Sequence, residues 1–212
     1  MRPSTALPRR RTQEERSTST RARLLEATVE CLHELGFAGT STTVVSERAG
    51  VSRGAQLHHY PTKHELVVAA IDHVLQKRVG EFRAQFAGAS VPKGAKERVG
   101  AAVERLWALT SGPTFYAWLE LLVASRTDRK LRKAMKAIAG RFEASVREAF
   151  HELFPALRDT PALDTAPWFT LATLQGFALD RILDPDEPRL PLGLQILTSM
   201  GARAMKRVEE SR

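Results

Sequence analysis

The chain has 212 residues, 43% of them hydrophobic and 26% charged, which is long enough for a buried core and excludes wholesale disorder. No apolar run approaches the ~20 residues of a membrane-spanning helix, and no apolar stretch of about 7–15 residues follows the first arginines as in a secretion signal, so a cytoplasmic protein is expected. The net charge of +8 invites a polyanion as partner, and it is uneven: residues 1–23 carry seven Arg against two Glu, whereas residues 24–63 are net −1.

Residues 1–17, with Pro3 and Pro8 among Ser, Thr and Arg, read as a flexible basic arm. Such an arm either solubilises the chain or supplies nonspecific attraction through Arg9–Arg11 and Arg16. From about Thr20 the stripe Leu24, Leu25, Thr28, Leu32, Leu35 keeps helical spacing until Gly36 stops it. The lone cysteine, Cys31, excludes an internal disulfide and reads as a small core residue. Ser41 or Thr42 caps a short second helix to about Ala49, and Gly50-Val51 breaks it. Ser52 caps a third helix that Pro61 ends near Tyr60. Thr62-Lys63-His64-Glu65 is a capping box opening a long helix that runs as far as Phe86. After a loop over Ala87–Gly94, further helical segments fall at 95–110, 114–125, 128–154, 167–183 and 191–209, with a proline-rich loop at 155–167. No strand alternation appears, so the predicted fold is all-α with about nine helices.

The two short helices around Ala49-Gly50-Val51-Ser52 have the layout of a helix-turn-helix. A small residue sits where the helices touch, glycine makes the turn, an apolar residue anchors it, and a capped second helix presents small or polar groups to a major groove about 12 Å wide. Over residues 18–78 the chain resembles the TetR/AcrR family of bacterial transcriptional regulators. The stretches that carry the likeness are Leu24-Leu25, Gly36-Phe37, Thr42 through Gly54, and His58-His59-Tyr60-Pro61-Thr62-Lys63-His64-Glu65-Leu66. The remainder matches only in length, helix content and helix order. The resemblance implies an N-terminal three-helix DNA-binding domain over 18–65, its helix-turn-helix at about 41–60, and a helical ligand-binding and dimerisation domain over 66–212. It implies a ligand-responsive repressor that binds a pseudo-palindromic double-stranded DNA operator as a homodimer and is released by a small apolar or amphipathic effector, with no cofactor. The alternatives are an activator, or a DNA-binding protein of the same fold without an effector.

By the same resemblance Thr42 and Thr43 contact phosphate or base edges, and Ser52, Arg53, Gly54 and Ala55 open the recognition helix, where Arg53 pairs with guanine. His59, Tyr60 and Lys63 anchor to the backbone, and His58 faces outward. The family commonly has Leu-Tyr where this chain has Gln56-Leu57. Leu57 and Tyr60, at i and i+3, are therefore expected to turn inward, leaving Gln56 at the groove edge or along the phosphate rim. Adjacent His58 and His59 point about 100° apart and make a poor metal chelate, so no metal is expected. Family architecture places an effector pocket among Phe82, Phe86, Trp107, Phe115, Tyr116, Trp118 and Phe142; Glu120, flanked by apolar residues, reads as either a surface carboxylate or a buried partner for a cationic or hydroxylated ligand. The same architecture places the two-fold interface, a four-helix bundle, on the last two helices through Trp168, Phe169, Leu174, Phe177, Leu194 and Leu197, with Gly176 and Gly201 permitting close approach. No GxSxG elbow, HExxH or phosphate-cradling glycine loop is present, so an enzyme is not expected.

Overall fold

A computed structural model of the chain describes residues 12–87, 94–158, 160 and 164–210. Among these residues the fold is all-α: α1 (Gln13–Gly39), α2 (Thr42–Ala49), α3 (Arg53–His59), α4 (Lys63–Ala87), α5 (Ala95–Thr110), α6 (Pro113–Ala124), α7 (Arg129–Leu153), α8 (Ala166–Leu183) and α9 (Leu190–Glu210). A 3-10 turn at Pro155–Leu157 interrupts the expected proline-rich loop. No helix among the described residues is long and apolar enough to cross a membrane.

The first helix starts earlier than expected. Thr12 donates its N–H to Glu15 Oε2 (2.8 Å) and its hydroxyl accepts from the Glu15 N–H (3.1 Å), a complete capping box. Residues 13–17 are therefore helical rather than part of a loose arm. They carry no apolar stripe and are exposed, so periodicity alone cannot detect them. Residues 1–11, with Arg9–Arg11, lie outside the described residues. At the other end Gly36 takes φ 68° and ψ 176°, turning the chain sharply between Leu35 and Phe37.

Two faces of α1 serve two cores. Leu24, Ala27 and Cys31 pack with Val45, Ala49 and Leu66 inside the three-helix head. Leu25, Val29 and Leu32 pack instead with Val67 and Ile71 of α4, Leu121 of α6, and Leu131 and Ile138 of α7. Neighbouring positions on a helix lie about 100° apart, so Leu24 and Leu25 point into different clusters. Each fully buried Leu contributes about 1.5–3 kcal/mol relative to exposure. A third core joins α5, α7, α8 and α9 around Val103, Leu106, Leu174 and Leu197. Cys31 is fully buried, and burial pushes its thiol up against the opposing pull of Arg48, which makes it a packing residue.

Candidate nucleic-acid interface

The turn between α2 and α3 is built by short-range chemistry. Gly50 takes the left-handed conformation (φ 59°, ψ 40°) and its N–H closes onto Glu47 and Ser46 carbonyls. Arg23 of α1 reaches across and donates to the carbonyls of Ala49 and Gly50, the latter at 2.9 Å. The left-handed φ is what requires glycine at 50; a Cβ there would also stand 2.7 Å from the Arg23 guanidinium and oblige it to shift. Ser41 and Ser52 cap the two helices, their hydroxyls accepting from Val44 N–H (3.2 Å) and Ala55 N–H (3.3 Å). Thr62 and Glu65 form the expected reciprocal box at the start of α4, both bonds 3.2 Å.

On α3 the exposed residues are Arg53, Gly54, Leu57 and His58, at i, i+1, i+4 and i+5, which is one face of a helix. Ser52 ahead of them and Thr43 on α2 are exposed too, while Thr42, Ala55, His59 and Tyr60 are half-buried. Gly54 has open space where a Cβ would stand and no positive φ. Nothing inside the protein calls for glycine there.

The expected orientation of Gln56 and Leu57 is reversed. Gln56 is fully buried and Leu57 is 45% exposed. The Gln56 Nε2 donates to the Tyr60 carbonyl (2.5 Å), while its Oε1 is buried without a partner. The reason is the phase of the helix: with Ser52 capping and Arg53 outward, position 56 falls toward α1 and position 57 toward solvent. Lys63 also departs from its expected role. Its ammonium donates to the Phe37 carbonyl (2.5 Å) and lies 4.1 Å over the Phe37 ring, so it braces α4 against α1 instead of standing free for phosphate. Burial pulls its pKa down.

Burial, with the charges of His58 and Arg21 adding to it, lowers the pKa of His59, while burial raises that of Tyr60 against Arg21. Arg21, exposed on α1, thus stands beside the end of α3. No motif marks it in the sequence; only packing of α1 brings it there.

A cavity of about 260 Å³ opens between α4, α5, α6, α7 and α8. Phe115, Trp118 and Phe142 line it as expected; Trp107 does not, and packs on the α5–α9 core with Arg181 5.9 Å over its ring. Phe82 and Phe86 lie on α4, but their side chains fall outside the described residues. Tyr116 and Glu120 serve another purpose. Tyr116 stacks on His33 of α1 (centroids 5.6 Å apart), and Glu120 Oε2 accepts the Phe37 N–H at 2.8 Å. Both therefore join α6 to the head, because they sit on the face of α6 opposite the cavity. The carboxylate that does line the cavity is Glu143 of α7.

Of the six residues expected at the two-fold interface, Trp168 and Phe169 are exposed, at 61% and 47%. Leu174 and Leu197 are buried in their own subunit's core, and Phe177 and Leu194 pack against it. Of the two glycines expected to permit close approach, Gly201 faces Val99 of the same chain, whereas Gly176 has open space where a Cβ would stand. With Trp168 and Phe169, the outward large apolar residues of α8 and α9 are Leu179, Ile182, Leu183, Leu192, Ile196 and Met200.

An exposed, serine-capped helix set after a glycine turn on a three-helix head defines a helix-turn-helix DNA-binding protein. Residues 24–70 match the model of the bacterial regulatory proteins of the tetR family. A helix-turn-helix transcriptional regulator of Mycobacterium tuberculosis strain H37Rv is 32% identical over 195 residues, covering 89% of this chain and 98% of its own. The regulator CymR of Pseudomonas putida is 29% identical over 184 residues, covering 86% and 89%. A solved transcriptional regulator from Pseudomonas aeruginosa PAO1 superposes with a TM-score of 0.66 at 27% identity, over 93% of this chain and all of that one. The chain belongs to the TetR family of DNA-binding transcriptional regulators.

Proposed function

We propose that this protein is a ligand-responsive repressor: it binds a pseudo-palindromic operator as a homodimer and is released when a small amphipathic effector fills the 260 Å³ cavity. The observation that carries the reading is the joint at Phe37. Its N–H is held by Glu120 of α6 and its carbonyl by Lys63 of α4. Gly36 makes this approach possible, since a Cβ there would stand 2.9 Å from Glu120 Oε2. Both α4 and α6 wall the cavity, through Leu75 and through Phe115 and Trp118.

An occupant that displaces α6 therefore pulls on the corner of α1. One that displaces α4 moves the segment that directly follows the recognition helix. The pair His64–Asp128 (2.5 Å) extends the same linkage to the N-terminus of α7. Its carboxylate is held below its usual range by the Leu131 N–H and by His64. An effector acts only by preferring the non-binding arrangement, and couplings of about 1–3 kcal/mol are typical.

In this reading Arg53 pairs bidentately with a guanine, His58 reaches a base or phosphate, and Thr43 and Arg21 hold the backbone. One head reads too few base pairs. Pairing through the outward apolar residues of α8 and α9 sets two heads about 34–36 Å apart, one turn of DNA.

The test is to select bound sequences from a random DNA pool with the full chain and to titrate the selected site at two salt concentrations. Arg53→Ala is expected to relax discrimination at one base pair per half-site by about 1–3 kcal/mol. Placed over a reporter promoter, the site should lower expression when the protein is present. A pool without two-fold symmetry, or wild-type specificity in Arg53→Ala, overturns the reading.

A further inference from the structure

We propose that the cavity selects a cationic amphiphile, an ammonium group on an apolar chain, with Glu143 as its counter-charge at the mouth. This rests on the reading of that cavity as the effector site.

Four aromatic rings line the space: Phe115, Trp118, Phe142 and Trp168. Ring faces carry negative charge density and attract cations, while repelling anions. Among the described lining residues Glu143 is the one that bears a charge, and it is exposed, which places it at the opening. It has no ion-pair partner among the described residues. Arg141, two positions away on α7, is committed to Asp72 at 2.8 Å.

None of the remaining polar groups among the described lining residues carries a charge that offsets Glu143. The Thr110 hydroxyl spends its proton on the carbonyls of Leu106 (3.1 Å) and Trp107 (3.2 Å), so it has no proton left for an anion. The side-chain N–H donors among the described lining residues are the Gln175 amide and the indoles of Trp118 and Trp168, all of them uncharged. A carboxylate or phosphate ligand would meet the Glu143 charge and four aromatic rings, with only neutral N–H donors to oppose that charge. An ammonium meets the Glu143 carboxylate and the rings, while its chain replaces water against the aliphatic wall. The sequence pointed to Glu120 as partner for a cationic or hydroxylated ligand; packing commits Glu120 to Phe37, and the carboxylate that lines the cavity is Glu143.

Three probes with one chain and different heads separate the possibilities: hexyltrimethylammonium, hexanol and hexanoate, titrated calorimetrically into the full-length protein at low salt. The cation is expected to bind at least about fivefold more tightly than either other probe. Glu143→Gln should bring the cation to within about twofold of hexanol and leave hexanol unchanged. Ala139→Trp, which fills the cavity, should abolish binding of all three, and a circular-dichroism melt establishes that it folds. If hexanol or hexanoate equals the cation, or Glu143→Gln leaves the cation's affinity unchanged, charge selection fails while the cavity stands as a ligand site. Unaltered binding in a folded Ala139→Trp overturns the location. Binding of none of the probes overturns both the selectivity and the cavity's effector role, and operator titration reports independently on the repressor.

Discussion

Gln56 and Gly54 show how single residues on α3 divide between folding and recognition. Gln56 is fully buried, with one amide hydrogen bond made and its oxygen without a partner. A buried unpaired acceptor costs about 1–3 kcal/mol, more than the net gain of about 0.5–1.5 kcal/mol from one hydrogen bond. Gln56→Leu, of similar volume, should therefore raise stability by about 1 kcal/mol in chemical denaturation and leave operator affinity unchanged, since the side chain faces inward. A loss of stability would show that the Tyr60 carbonyl depends on that amide. Gly54 is the opposite case. A methyl there meets nothing within the protein, so Gly54→Ala should stabilise the helix by about 0.5–1 kcal/mol. In the proposed complex the same methyl points toward the groove, so operator affinity should fall even as the melting temperature rises. Gain in both measurements would mean that DNA does not approach that position closely.

At the scale of elements, α6 has two working faces. One lines the cavity with Phe115 and Trp118, and the other grips the head through Tyr116 and Glu120. Glu120→Ala leaves the Phe37 N–H without its acceptor in an exposed setting. The expected cost is about 1 kcal/mol of stability, with faster hydrogen exchange at the Phe37 amide. Base-pair specificity set by Arg53 should remain, because the α2–α3 turn is held by Arg23 and the serine caps. Unchanged exchange at Phe37 would remove the joint from the proposed linkage. The early start of α1 belongs to this scale as well: a cap at Thr12 and exposed helix formers extend it beyond the reach of any apolar stripe.

At the scale of the molecule, α8 and α9 carry an outward apolar strip that water would otherwise cover, with Leu183 92% exposed and Ile182 and Ile196 each 52% exposed. Exposed apolar residues gathered on two neighbouring helices suit the proposed two-fold interface. Ile182→Glu with Ile196→Glu should convert a dimer to a monomer in analytical ultracentrifugation. Affinity for a full operator should fall steeply toward that for a half-site, because the second head no longer joins the first. A double variant that still sediments as a dimer would place the interface elsewhere.

The helix-turn-helix was legible from residues alone because its determinants act over three or four positions: serine caps, a left-handed glycine, a proline stop and a threonine–glutamate box. The same local signals placed every helix in order, and the segment most specific to DNA binding is also the most local. Which neighbour of a pair turns inward at 56 and 57, which face of α6 holds Glu120, and which carboxylate opens onto the cavity were settled only by packing. Glu120 meets Phe37 across 83 positions of chain, and no short-range preference encodes such a meeting. It follows from how the shared core of α1, α4, α6 and α7 fixes the rotation of each helix, since apolar side chains must interdigitate at crystal-like density and polar ones accept the partners left to them.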